Sequence, residues 1–278
     1  MLDLTEANYY SQEAQMAYMG ATQYKDFCSC EARALATIRG EYARPASTAL
    51  LIGSYVDAYF SGEIERFTEE HPELFKKNGE LKADYLHAEV IIRKMESSRL
   101  FSLLMSGRKQ VIKTGSIAGV PFKIKIDSLL DDATCAEIAK EFPSARPALG
   151  LLDGAIVDQK VVKDFLPIWS EEERSRVPFI EFWGYDTQGA IYQEIDGHML
   201  PFIIAAGTKE QTPDLGAFYI PDDDLRNKLA EIEDNAPRFH AIKQGRIAPR
   251  RCEKCDYCKS TRTLTSIIPY NETEEVAY

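Results

Sequence analysis

The chain has 278 residues, of which 45% are hydrophobic and 28% charged, and a net charge of −11. That length supports a substantial core, and no run approaches the ~18 apolar residues of a membrane span. The negative total argues against nucleic acid as a partner, because phosphate binders are usually basic.

The opening MLDLTEANYYSQEAQ is polar and has no apolar h-region, so it does not read as a signal peptide; the expected location is cytoplasmic. Residues 21–39, ATQYKDFCSCEARALATIR, predict a helix behind the N-cap-like Thr22, and residues 48–60, TALLIGSYVDAYF, predict a second. Over residues 80–106, Leu81, Tyr85, Ala88, Ile91, Ile92, Met95 and Leu100 recur at roughly helical spacing and predict one long helix. The period then changes. In VPFKIKID, Phe122, Ile124 and Ile126 alternate with Lys123, Lys125 and Asp127, which predicts a strand with one wet face. A loop with Pro143 and Pro147 leads to a strand at 155–162. A helix at 186–198, strands at 201–206 and 216–220, and an amphipathic helix at 222–236 that Pro237 should end or kink complete the order. The sum is a mixed α/β core behind a helical N-terminal part.

Within the strand GAIVDQKVV, Asp158 and Lys160 are two residues apart and so share a face. Asp127 on the preceding strand can lie across from them. Two carboxylates and an ammonium would then converge, and carboxylate oxygens are what Mg²⁺ prefers. The lysine is suited to polarise a water or to stabilise charge developing at phosphorus. A D-x-K triplet alone is more often a salt bridge at a strand end.

Six cysteines are present, and in a cytosolic chain they are not expected to form disulfides. Cys252, Cys255 and Cys258 form CEKCDYC, whose two-residue gaps let thiolates converge on one metal or cluster, with a fourth ligand from elsewhere. Cys135 reads as a buried or loop thiol. The same region is basic: Lys243, Arg246, Arg250, Arg251, Lys254, Lys259 and Arg262 lie close together. His71, His87, His198 and His240 show no clustering. Lys209 is a candidate phosphate contact, and Trp169 and Trp183 read as core or loop packing rather than base stacking.

Taken in order, YKDFCSCEARAL, GSYVDAYF, FKIKIDSLL, IVDQK, QGAIY and CEKCDYC resemble the PD-(D/E)XK nuclease superfamily, specifically its exonuclease VIII-like (RecE-like) phage and prophage branch with RecB-like motifs. The resemblance runs from about residue 9 to residue 265. It implies a restriction-endonuclease-like α/β fold: one nuclease domain over 1–278, with a helical part at 1–110, a catalytic core at 111–221, and a helix with a cysteine tail at 222–278. It implies that Asp127 and Asp158, joined by the backbone carbonyl of Gln159, bind Mg²⁺ or Mn²⁺, and that Lys160 is the catalytic lysine. Asp57 occupies a slot that is often His and is a further candidate ligand. Gln188 and Tyr192, at i and i+4, would steady the site and meet the DNA strand. Ile126 stands where the family often has Pro, and Asp158 where it often has Glu; neither change removes a ligand.

The resemblance also implies that Cys30, preferred over Cys28 because Glu-Ala-Arg follows it, joins the three C-terminal cysteines around a [4Fe–4S] cluster, with zinc as the alternative. The expected activity is metal-dependent exonucleolytic hydrolysis of linear, double-stranded DNA. A single-strand annealing protein would be its partner in phage recombination, and the enzyme would be a homo-oligomer. The alternative is a catalytically silent nuclease fold that binds DNA or a protein partner.

Overall fold

The computed structural model describes residues 2–43, 47–149, 153–265, 267 and 269, without the side chain of Asp84. The end of the expected cysteine tail, 270–278, lies outside the described residues. Among the described residues no helix is long and apolar enough to cross a membrane. The chain divides into two compact units: Met1–Arg44 with Ser116–Phe122 and Ile232–Tyr278, and Pro45–Gly115 with Lys123–Glu231.

Three short helices open the chain: α1 (Gln12–Ala17), α2 (Ala21–Ser29) and α3 (Glu31–Ile38). The single helix expected over 21–39 is broken at Cys30, which is extended at φ −165° and ψ 108°. Its N–H donates to the Asp26 carbonyl, ending α2, and its Sγ accepts the N–H of Arg33, starting α3. Helices α4 (Thr48–Ser61), α5 (Ile64–Glu70), α6 (Ala83–Glu96) and α7 (Arg99–Leu104) follow. The long helix expected over 80–106 is therefore two. The Ser98 hydroxyl accepts the Phe101 N–H and restarts the chain as α7, as an N-cap serine does.

Strands β1 (Arg108–Ile117) and β2 (Val120–Asp131) are joined by Ala118 and Gly119, both at positive φ (48° and 74°), the backbone of a tight hairpin turn. Helix α8 (Asp132–Glu141) and the single turn α9 (Arg146–Leu149) stand where a loop was expected. Asp131 caps α8 by accepting the Thr134 N–H at 2.8 Å, and Cys135 and Ile138, three apart, bury its inner face. Next come β3 (Gly154–Val162), the small hairpin β4 (Ile168–Ser170) and β5 (Ser175–Val177), and helices α10 (Phe179–Phe182) and α11 (Tyr185–Asp196). The order closes with β6 (Phe202–Thr208), β7 (Leu215–Ile220), α12 (Asp222–Lys243) and α13 (Asp256–Ser260). Pro237 does not end α12, which continues six residues to Lys243. The carbonyl that loses its donor belongs to Glu233, which is exposed like Pro237 itself, so water can satisfy it.

The main sheet has the order β1-β2-β3-β6-β7. β2 and β3 are antiparallel, β3 and β6 parallel, and β6 and β7 antiparallel, so the fold is the expected mixed α/β sheet flanked by helices. On one face Val56 of α4 and Ile91 and Met95 of α6 join the core containing Val157, Ile203 and Ala205. Gly207 lets Met95 approach, since a Cβ there would stand 2.6 Å from its Cε. On the other face α11 packs against β6, with Tyr192 edge-on to Phe202 at 5.7 Å. Gly189 makes that approach possible: a Cβ would stand 2.7 Å from Phe202 and 2.9 Å from Leu225.

The wet face expected for β2 is not wet. Lys123 is 2% and Lys125 9% exposed, and Asp127 is half-buried. Helix α11 reaches this strand, and the Tyr192 hydroxyl donates to the Lys125 carbonyl at 3.0 Å. Burial pushes the Lys123 ammonium down to about 8. Because α11 is fitted so closely at Gly189, replacing it with Ala overpacks the contact. Gly189→Ala should lower the thermal midpoint by on the order of 5 °C, measured by circular dichroism, while a control Gly53→Ala, where a Cβ meets nothing within 4 Å, should not.

Candidate functional site

The register of β2 and β3 pairs Ser128 with Val157. One step further along this antiparallel ladder, Asp127 comes opposite Asp158, and the period of two puts Lys160 on the same face as Asp158. The Lys160 ammonium forms an ion pair with Oδ2 of Asp158, whose side chain is 2% exposed. The other oxygen, Oδ1, accepts Nε2 of Gln188 at 2.5 Å. Asp127 Oδ2 accepts the backbone N–H of Gln159 at 2.9 Å. The two carboxylates are thus tied to one strand, Asp158 as its residue and Asp127 through its backbone. The Gln159 carboxamide is buried, with neither of its polar atoms hydrogen-bonded.

Burial, with Asp158 and Asp57 as neighbouring negative charges, raises the Asp127 carboxyl well above the usual carboxylate range; Lys160 and the Gln159 N–H oppose this. Asp57, on α4, opens to solvent on one side. Its carboxyl is nevertheless raised, first by the surrounding protein and then by Asp158, against the pull of Lys160, Lys125 and Lys109. Lys160 is raised despite its burial, because Asp158 and Asp127 hold its proton. The ensemble is a cluster of hard oxygen donors in which like charges crowd one another. A divalent cation relieves that repulsion, and the donor set fits Mg²⁺ or Mn²⁺.

Two groups near these acids were not read from the sequence. Lys109, at the start of β1, donates to the Met105 carbonyl, and burial lowers its pKa against the attraction of Asp127 and Asp57. The next residue, Gln110, has φ 52° inside a strand, a backbone form that recurs at bulges which re-aim side chains. Tyr185 places its ring 5.4 Å from the Lys160 ammonium, and burial raises its hydroxyl. Tyr185 precedes Gln188 by three residues, so helical spacing was the available signal. For Lys109 the signal was the strand β1, which has no clear alternation.

Tyr192 is buried against Phe202 and Lys125, whereas Gln188 reaches the acid pair. Other candidates fall elsewhere. Lys209 donates to the Ala49 carbonyl at 3.0 Å. His71 pairs with Glu73, His198 with Asp196, and His240 with Gln244; His87 meets the Lys209 carbonyl. Trp169 and Trp183, expected as packing, are each 50% exposed.

In the other unit, the thiols of Cys30, Cys252, Cys255 and Cys258 lie within 4.8 Å of one another. Cys28 is exposed and is not among them; Cys135 is buried in α8, where burial pushes its thiol up to about 11. Beside Cys30, Glu31 accepts both Nε and Nη2 of Arg238 (2.7 and 2.8 Å) and the backbone N–H of Arg250 (2.6 Å). These bonds outweigh burial and lower the Glu31 carboxyl. The basic segment is partly spent within the fold. Lys243 is buried, donating to the Tyr18 carbonyl and Gln23 Oε1, and Arg251 and Arg262 both pair with Glu253.

A family model described as "PDDEXK-like domain of unknown function (DUF3799)" matches residues 20–138 and 149–261. No curated protein matches the chain. Among solved structures, the crystal structure of a "Putative exonuclease" from Eubacterium rectale is similar, with 39% sequence identity, 97% of each chain covered and a TM-score of 0.84. An acid-and-lysine site on a mixed sheet and a family match over most of the length agree: this chain belongs to the PDDEXK-like domain family.

Proposed function

We propose that the protein is a metal-dependent DNA exonuclease of the exonuclease VIII-like kind, acting on linear duplex DNA in phage recombination. The observation that carries this reading is the convergence of Asp127, Asp158 and Lys160 on one face of two neighbouring strands. The name of the Eubacterium rectale relative supports the exonucleolytic part.

In this reading Asp127, Asp158 and the Gln159 carbonyl hold Mg²⁺ or Mn²⁺, with Asp57 as a further oxygen donor. Bound there, the cation supplies Lewis-acid polarisation of the phosphate and acidification of a water. The chain's own groups do the rest. Gln188 fixes the Asp158 carboxylate through Oδ1, leaving Oδ2 to face Lys160. The Lys160 ammonium, kept protonated by the acids, stabilises negative charge developing on the phosphate oxygens. The Tyr185 ring limits where that ammonium can sit. Lys109 offers a second cation to the DNA backbone. DNA contact falls to such local lysines and arginines, since the whole chain is acidic.

Linear duplex DNA with Mg²⁺ should be shortened by the wild type, and Lys160→Ala should slow this by roughly 10²–10³-fold. If wild type and variant are equally inert under several divalent metals, the silent binding module is the better account. Lys109→Met should weaken DNA binding roughly tenfold in Ca²⁺, read by fluorescence anisotropy, with Lys109→Arg restoring most of it; unchanged affinity would remove Lys109 from the site.

Electrostatics give a further expectation with a definite sign. A carboxyl whose folded pKa is raised costs stability as pH climbs above its unfolded pKa, because the native state then holds the extra proton. In chelator at neutral pH, Asp127→Asn should therefore raise the thermal midpoint, by roughly 2–4 °C per kcal/mol of repulsion removed. Added Mg²⁺ should stabilise the wild type and leave the variant unmoved. A variant that melts lower in chelator would contradict the crowding of the acids.

A further inference from the structure

The four clustered thiols belong to no step proposed above, and their spacing says what they can hold. Cys30 Sγ lies 3.6 Å from Cys258 Sγ and 3.9 Å from Cys255 Sγ, and Cys252 Sγ lies 3.9 Å from Cys258 Sγ. No two of the four are more than 4.8 Å apart. These separations are far beyond a disulfide bond of about 2.05 Å. One tetrahedral ion with metal–sulfur bonds of about 2.3 Å spaces its four sulfurs about 3.8 Å apart, since a tetrahedron's edge is about 1.63 times its centre-to-corner distance. In a [4Fe–4S] cube each thiolate sits on a different iron at a different corner. The sulfurs must then be farther apart than around one ion, by an amount set by the iron–iron separation. A ceiling of 4.8 Å does not accommodate that spread.

The local backbone is built for the compact arrangement. Cys30, Cys252 and Cys255 each accept an N–H from three residues onward, from Arg33 at 3.5 Å, Cys255 at 3.4 Å and Cys258 at 3.5 Å. Such bonds favour the thiolate and fix its direction toward a common centre. Four thiolates around one divalent ion leave two negative charges. Arg250, Lys254 and Lys259 are exposed on the same segment, and Arg251 donates to the Cys258 carbonyl at 2.6 Å. Cations on the same segment as three of the thiolates can offset part of that charge, a use of the basic run that involves no nucleic acid.

We infer that Cys30, Cys252, Cys255 and Cys258 bind a single four-coordinate zinc ion rather than an iron–sulfur cube. With every position filled by protein, the site is structural, joining the start of α3 to α13 and the segment that leads into it, within one unit. It is independent of whether the other unit cleaves DNA.

The full chain, expressed without added metal and purified under anaerobic conditions, would be analysed for metals and acid-labile sulfide. The expected result is about one zinc per chain with no labile sulfide. Exchange with Co²⁺ should then give the intense visible bands of a tetrahedral thiolate site, and Cys30→Ser should lose the zinc or bind it more weakly against a chromogenic chelator. About four irons with about four sulfides per chain would overturn the inference, as would one iron without sulfide, no metal at all, or zinc retained undiminished in a folded Cys30→Ser chain. None of these readouts depends on nuclease activity.

Discussion

Asp127 and Asp158 are brought opposite one another by strand register, in surroundings that disfavour charge on Asp127. Left to itself, such a pair would relieve its repulsion by protonating Asp127 or by moving apart. The fold prevents the second outcome by fixing each acid at a separate oxygen. The Gln159 N–H holds Asp127, Gln188 holds one oxygen of Asp158, and Lys160 neutralises the other. Much of the surrounding architecture serves this arrangement. The parallel pairing of β3 with β6 gives α11 its seat, Gly189 lets the helix come close, and closeness brings Gln188 within reach of Asp158. Net repulsion among crowded acids is a cost that a bound cation would convert into affinity.

The two lysines nearest the acids answer to different constraints. Lys160 is held by its strand neighbour and capped by an aromatic ring, so its position is over-determined. Lys109 comes from β1, beside a strained Gln110 backbone, and its hydrogen bond goes to a carbonyl rather than a carboxylate. The cysteine unit follows the opposite logic. There Glu31 is matched by Arg238 and Arg250, Lys243 by Tyr18 and Gln23, and Glu253 by Arg251 and Arg262. Such closed networks suit a support better than a reactive centre.

Local pattern made several features legible. Asp158 and Lys160 are two residues apart in an apolar run, which fixes their shared face in any strand. Gln188 and Tyr192 are four apart on a helix, yet only Gln188 touches the acids, because the turn between them carries Tyr192 onto β6 and β2. Errors arose where one residue overrode a pattern. Cys30 interrupts an otherwise continuous helical period by adopting an extended backbone. Pro237 sits in a helix despite its missing N–H, since the orphaned carbonyl is exposed. Helix α8 was hidden by the prolines that follow it, although the Asp131 cap preceded it.

The sequence by itself determined the alternation that makes strands, the spacing of acid and lysine, and the cysteine pairs able to chelate. These are properties of neighbours along the chain, where backbone geometry fixes direction. Tertiary structure alone decided that Lys123 and Lys125 are buried, that Lys109 and Tyr185 stand near the acids, and that the basic segment is partly neutralised from within. It also set the sulfur separations, since CEKCDYC permits either one ion or a cube. Each of these depends on groups far apart in sequence, and only packing fixes the distance between them.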